Sequence, residues 1–146
     1  KGSKVTMIGQ TSGTVFLDQN PVSGKSSYYA KAIKGSLTGK EGSAKKITLP
    51  KATTKVTAKA KTDKTVVLSW KKVKGATGYL VYRSTKKNGS YQRIAVLKKG
   101  TKCTYTDKKG LKKGMKYHYR IVTVKKKTYS PAKTTKAVKI KAAKKK

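Results

Sequence analysis

The sequence predicts an all-β fold built as a sandwich of two sheets, and three observations carry that prediction. Apolar side chains between residues 54 and 141 alternate with polar ones, the period of half-buried strands, and no segment sustains the 3.6-residue period of a helix. Turn-forming residues divide the region into seven such runs at spacings of roughly 8–12 residues, as two-layered β domains require. The chain also repeats itself. Displaced by 89 positions without a gap, Val5 falls on Ile94, Met7 on Val96, Ile8 on Leu97, Phe16 on Tyr105, Asp18 on Asp107, Val22 on Leu111 and Tyr28 on Tyr117. Apolar positions coincide and loop residues do not, which is how two copies of one structural unit look once their surfaces have diverged.

The expected strands follow in order. Residues 54–60 open the complete unit, and residues 65–70 set Val66, Leu68 and Trp70 on one face, because side chains two apart share a face. Gly-Tyr-Leu-Val-Tyr-Arg, residues 78–83, comes next. Asn88-Gly89 predicts a hairpin, since both residues tolerate positive φ, and leads into residues 91–97. Residues 102–107 place Cys103 and Tyr105 on one side. Residues 117–124 alternate Tyr117, Tyr119 and Ile121 with His118 and Arg120, which points His118 outward to water; residues 132–141 close the unit. Trp70, Tyr79 and Tyr119 are expected to meet between the two sheets.

At 146 residues the chain has room for one ordinary domain, or a small one and part of another. The repeat favours the second arrangement: residues 1–50 are the second half of one unit, residues 51–141 a complete one, and residues 142–146 a basic tail. The counterpart of Trp70 would fall before Lys1, so the first unit reads as truncated. Lacking its early strands, that half should leave Phe16, Tyr28 and Ala30 uncovered and expose apolar surface. The opening Lys-Gly-Ser shows no targeting leader, and no apolar run approaches the ~20 residues that cross a bilayer.

Four stretches carry a resemblance to a known family. They are Leu111-x-x-Gly114-x-x-Tyr117, the strand ending at Trp70, the strand Gly78-Tyr79-x-Val81-Tyr82-Arg83, and Tyr105-x-Asp107. Together they resemble a fibronectin type III domain, and the resemblance covers residues 51–141 and, through the repeat, residues 1–50. It implies an immunoglobulin-like β-sandwich in tandem with a truncated first copy. It implies further that Tyr117 turns its hydroxyl back onto the preceding loop, that Leu111 plugs the bottom of the core, and that Gly114 takes a conformation a Cβ would strain. Lys113 stands where the family usually has Pro. Lysine-rich versions are similar to modules appended to secreted proteins of Gram-positive bacteria, and no Arg-Gly-Asp is present.

The chemistry-bearing residues are few. Acid and base catalysis commonly needs paired carboxylates or a partnered His, and only Asp18, Glu41, Asp63, Asp107 and His118 are available. Asp18 and Asp107 share one repeat position at a strand end, where an Asp is explained by turn capping. Calcium would want neighbouring acids, and lysines surround these instead. Cys103, the only cysteine, forms no disulfide within the chain, and with His118 alone it makes no zinc site. It reads as a small buried hydrophobe. Gly24-Lys25-Ser26 fails as a phosphate loop because position 19 is Gln. Asn88-Gly89-Ser90 fits a glycosylation acceptor, and a hairpin turn explains it better. The expectation is therefore no enzyme, no cofactor and no metal.

Charge is what remains. Lys and Arg number 39 against four acids, a net charge of +35, and all but Arg83, Arg93 and Arg120 are Lys. Residues 1–50 hold eight basic and two acidic residues, residues 51–146 hold 31 and two. Loops of a sandwich gather at two poles. Lys71, Lys72, Lys74, Lys98, Lys99, Lys102, Lys125, Lys126 and Lys127 should meet at one, and Lys61, Lys64, Lys86, Lys87, Lys108, Lys109, Lys112 and Lys113 at the other, leaving both equally basic.

The first set is the candidate polyanion-binding site. Three scattered arginines argue against sequence-specific nucleic acid, although phosphate binding without base reading needs only charge. Tyr129 is the evident free stacking surface. The resulting expectation is a spacer and attachment module of a secreted or cell-surface bacterial protein, joined to upstream domains and associating with anionic cell-wall polymers or other polyanions. An intracellular nucleic-acid-binding protein and a carbohydrate-binding accessory module of an upstream hydrolase are the alternatives.

Overall fold

The computed structural model describes residues 5–13, 15, 16, 18 and 21–140. The opening Lys-Gly-Ser, Lys141 at the end of the last expected strand, and the tail 142–146 lie outside the described residues. Every regular element among the described residues is a strand.

Residues 5–49 carry four short strands. β1 (Gly24–Tyr28) pairs antiparallel with β4 (Lys45–Leu49), and β2 (Ile33–Lys34) pairs with β3 (Leu37–Thr38) around Gly35, whose φ is 60°. These ladders are separate two-stranded sheets, an arrangement with marginal stability of its own. Val5, Met7, Ile8, Val15, Phe16, Val22, Ile33, Leu37 and Ile47 are 44–81% exposed, so this half does present bare apolar surface. Its ladder also departs from the repeat. Equivalence to Tyr117, which lies opposite Val138, would set Tyr28 opposite Leu49, yet Tyr28 lies opposite Lys45. Register is weakly specified where no face is buried, and here none is.

The rest of the chain builds the sandwich from β5 (Thr57–Thr62), β6 (Thr65–Ser69), β7 (Gly78–Ser84), β8 (Gln92–Leu97), β9 (Thr104–Asp107), β10 (Lys116–Lys125), β11 (Thr128–Tyr129), β12 (Lys133–Thr134) and β13 (Val138–Lys139). One sheet runs β5-β6-β9. The other runs β11-β10-β7-β8, with β12 and β13 also paired to β10, and every pairing is antiparallel. Val66, Leu68, Trp70, Tyr79, Val81, Leu97, Tyr117, Tyr119, Ile121, Val138 and Ile140 fill the space between the sheets. Trp70 meets Tyr79 edge to face, ring centroids 5.3 Å apart, a geometry that puts ring edge against ring face. Cys103 is half-buried against this core, its Sγ 3.9 Å from the Tyr79 hydroxyl.

The corner forms as the resemblance implies. The Tyr117 hydroxyl accepts the Lys112 N–H at 3.0 Å and donates to the Gly110 carbonyl at 3.5 Å. Gly114 has φ of 75° with open space where a Cβ would stand, so backbone conformation is what asks for glycine there. Leu111 packs against the core. Lys113, in the place of Pro, reaches Asp63 at 3.3 Å and ties two loops together.

Four expectations need correction. The first strand starts at Thr57 and not at residue 54, because the preceding chain pairs elsewhere: Thr54 O accepts the Lys71 N–H, Thr53 Oγ1 donates to Lys71 O at 2.6 Å, and Lys55 turns at φ of 51°. The strand expected over 132–141 is two fragments, β12 and β13, with β11 preceding them. Ser130 Oγ accepts the Thr123 N–H at 2.9 Å and Thr135 Oγ1 accepts the Tyr119 N–H at 3.1 Å, so hydroxyls take donors that a regular ladder gives to carbonyls. The register slips by one residue at each point, from Val124 opposite Tyr129 to Ile121 opposite Lys133 to Tyr117 opposite Val138. The hairpin after β7 exists, but neither Asn88 nor Gly89 adopts positive φ. A turn closed by the Gly89 N–H on Lys86 O centres instead on Lys87 and Asn88. Finally, His118 is half-buried, with Nδ1 enclosed and unpartnered.

Candidate polyanion-binding pole

Three loops make the pole at which the chain enters the sandwich: residues 70–77 between β6 and β7, residues 98–103 between β8 and β9, and the tight turn at Lys126 and Lys127 between β10 and β11. Backbone bonds lock them together. Thr77 donates its N–H to Val124 O at 2.8 Å, and its hydroxyl accepts the Lys126 N–H at 3.1 Å, fastening the first loop to the last. Trp70 N–H reaches Cys103 O at 3.1 Å, and Gly100 lies so close to the Ala76 carbonyl that no Cβ would fit. A packed core therefore holds short loops whose lysines have nowhere to go but outward. Lys71, Lys72, Lys74, Lys98, Lys99, Lys102, Lys125, Lys126 and Lys127 are all exposed. Lys125 lies over Gly75, 3.3 Å from the position a Cβ would take there. Lys126 carries its side chain from an αL backbone, φ 55°, a conformation usually left to Gly or Asn.

The two poles are not equally basic, which corrects the sequence expectation. Both acids of the sandwich fall at the far pole. Asp63 pairs with Lys113 there, and Asp107 pairs with Arg83 at 2.9 Å. The near pole holds no carboxylate among the described residues of its three loops. Asp63 lies between Lys61 and Lys64 and Asp107 directly precedes Lys108, so the strand order that gathers those lysines at the far end brings both acids with them.

Asp107 does more than cap a turn. Its Oδ1 accepts the Lys109 N–H at 3.3 Å, as a capping Asp should, while Oδ2 accepts both Arg83 Nη1 and the Tyr119 hydroxyl at 2.9 Å. Arg83 also donates to Lys109 O at 2.6 Å and lies over the Tyr117 ring. Burial, and then the Asp107 charge beside it, push the Tyr119 hydroxyl far above its ordinary range. This network joins the two sheets and consumes Arg83, which is thereby unavailable for base reading. Arg120 stacks 3.9 Å over Tyr91 with Nε on Thr134 Oγ1 at 3.3 Å, so among the described residues the exposed guanidinium left unengaged is that of Arg93. Asp18, at the repeat position of Asp107, accepts the Tyr28 hydroxyl at 2.9 Å. Tyr119 has Ala30 as its counterpart, so the corner tyrosine makes the contact in its stead. Tyr129 is 54% exposed, as expected of a free ring. Among the described residues no three His, Cys, Asp or Glu side chains gather to hold a metal ion.

Known proteins bear on this arrangement. Residues 50–138 match the fibronectin type III domain family. Over 78 residues the chain is 40% identical to the amylopullulanase of Thermoanaerobacterium saccharolyticum, spanning 53% of this chain and 6% of that protein. The fold is similar to a crystal structure of an Fn3-like protein from Clostridium thermocellum, with a TM-score of 0.56, 26% identity, 67% of this chain and all of that one covered. A two-domain fibronectin type III segment of chicken tenascin, at 19% identity and a TM-score of 0.55, covers 79% of this chain and 64% of its own, and shows the fold alone. With its sheets, its tyrosine corner and its sequence in agreement, the chain belongs to the fibronectin type III family.

Proposed function

We propose that the chain is a non-catalytic spacer and attachment module of a secreted or cell-surface protein, and that its near pole binds anionic cell-wall polymers or comparable polyanions. One observation carries the reading: nine exposed lysines stand on three mutually fastened loops, while both acids of the sandwich stand at the opposite end. A flexible ammonium suits diffuse phosphate or carboxylate charge, whereas the fork geometry of base reading belongs to Arg. The likeness to a short part of an amylopullulanase supports a place beside a hydrolase domain in a longer polypeptide.

Binding of teichoic acid, heparin and duplex DNA over a salt series tests this. All three should bind comparably at matched charge density and weaken steeply with salt. Replacing Lys98, Lys99 and Lys102 with Gln should lower the salt slope by roughly two to three contacts, while the same change at Lys108, Lys109 and Lys112 should lower it less. Equal losses from both triplets would remove the polar preference. A preference for DNA that survives high salt would favour a nucleic-acid-binding protein instead.

A further inference from the structure

Two of the sandwich's edges look unlike its others. In a chain so rich in lysine, β5 carries Lys59 and Lys61, and Lys133, Lys136 and Lys139 punctuate the β12–β13 edge. Charged side chains of this kind keep a free edge from recruiting another strand. The opposite side of the sandwich is bounded by β8, Gln-Arg-Ile-Ala-Val-Leu, and β9, Thr-Tyr-Thr-Asp, neither of which contains a lysine. Residues 88–97 are lysine-free just as residues 75–85 and 117–124 are, and those latter stretches hold β7 and the interior of β10, which have a strand on each side. β8 is thus composed like an interior strand, while its side away from β7 pairs with nothing among the described residues.

β8 carries its own interruption: Val81 lies opposite Ala95 and Tyr82 opposite Arg93, which leaves Ile94 as the extra, unpaired residue of a bulge, and the Tyr105 hydroxyl donates to Ile94 O there at 3.4 Å. The Gln92–Ile94 end of β8 lines a depression of about 260 Å³, and Gln92 and Arg83 are shared with a second of about 350 Å³. Arg93 and Lys109 line the first and Lys112 the second. Asp107, the acid in the first depression, is 2% exposed and already satisfied by Arg83, Tyr119 and the Lys109 N–H. Val96, 52% exposed, gives the edge an apolar foothold.

We propose that the free edge of β8 docks an extended acidic peptide segment as an added strand. The backbone of β8 supplies the ladder, and Arg93, Lys109 and Lys112 receive alternate carboxylates. A second copy of this chain is a poor occupant, since two molecules of net charge +35 repel. Backbone pairing gives affinity and alternating side chains give specificity in this mode of recognition. Lys109 and Lys112 stand at the end opposite the nine-lysine pole, and substitution of Lys98, Lys99 and Lys102 separates failure of the polyanion reading from failure of this one.

The test uses the full chain labelled with ¹⁵N and the synthetic peptide Thr-Glu-Val-Glu-Val-Glu-Thr. Two control peptides replace the second Val with Pro or consist of Glu alone, and a maltooligosaccharide serves as a third probe. Strand addition predicts that amides of residues 92–97 shift and exchange more slowly, and that the alternating peptide binds at least about tenfold tighter than the Pro version, which cannot complete a ladder. Val96→Lys should weaken it by about the same factor without moving Tm, because Val96 is exposed and lysine guards an edge. Equal binding of the three peptides, with shifts confined to lysine loops, would overturn the proposal, as would no peptide binding at millimolar concentration. Shifts at the depressions caused by the sugar alone would overturn it too.

Discussion

Residues 5–49 and residues 50–140 share a pattern of apolar positions and differ in what covers them. Leu97 is 8% exposed and its repeat counterpart Ile8 is 51% exposed. Leu97 lies among Val81, Tyr119 and the rest of a two-sheet core, whereas Ile8 stands outside any strand. Asp107 and Asp18 each accept a tyrosine hydroxyl, but the first is sealed between sheets with an Arg beside it and the second is only half-buried. The difference teaches that an apolar pattern becomes structure only when two sheets supply opposing faces; one hairpin cannot bury its own pattern.

Substitutions at paired repeat positions can break or sharpen this contrast. Leu97→Ala should cost about 3 kcal/mol of stability by chemical denaturation, the usual price of a core truncation, while Ile8→Ala should cost under about 0.5 kcal/mol. Asp107→Asn should cost about 2–3 kcal/mol because it strands the Arg83 charge, whereas Asp18→Asn should be nearly silent. Matching losses at either pair would mean that the first half is as tightly held as the second.

Smaller effects come from the tyrosines. Tyr117→Phe removes a hydroxyl serving two backbone groups and should cost about 1–2 kcal/mol, against a few tenths for Tyr28→Phe. Tyr119→Phe should cost about 1 kcal/mol near pH 8, and that cost should shrink above pH ~10. The sign follows from proton binding. The unfolded chain releases the phenolic proton near its ordinary value, the folded chain retains it because burial and Asp107 raise the Tyr119 value, and so the wild type loses more stability than the variant as pH rises. Comparing the two proteins cancels the titration of the lysines. The smallest expected effect is a gain of about 0.5–1 kcal/mol for Lys126→Gly, from relief of its αL backbone.

Much of the fold was legible because period two, the Leu-x-x-Gly-x-x-Tyr corner and the single Trp are local signals. Seven strand positions follow from them, and Trp70, Tyr79 and Tyr119 meet as their spacing requires. What escaped depended on partners distant in the chain. Ser130 and Thr135 read as ordinary strand residues until their hydroxyls are seen replacing carbonyls on β10. Asp107 reads as a turn cap, and only folding brings Arg83 to it from 24 residues away. Strand counting assigns the loops bearing the nine lysines to one end and Asp63 and Asp107 to the other, while the ion pairs those acids make with Lys113 and Arg83 appear only in the folded chain. The Asn88-Gly89 signal marked the right hairpin and the wrong turn geometry, since a longer connection no longer needs positive φ.

The unequal burial of the two halves is tested most directly by native-state amide exchange on the intact chain. Amides in β6, β7 and β10 should exchange only through global unfolding, while those in β1 to β4 should exchange at least about a thousandfold faster through local opening. Uniform protection across both halves would contradict the account.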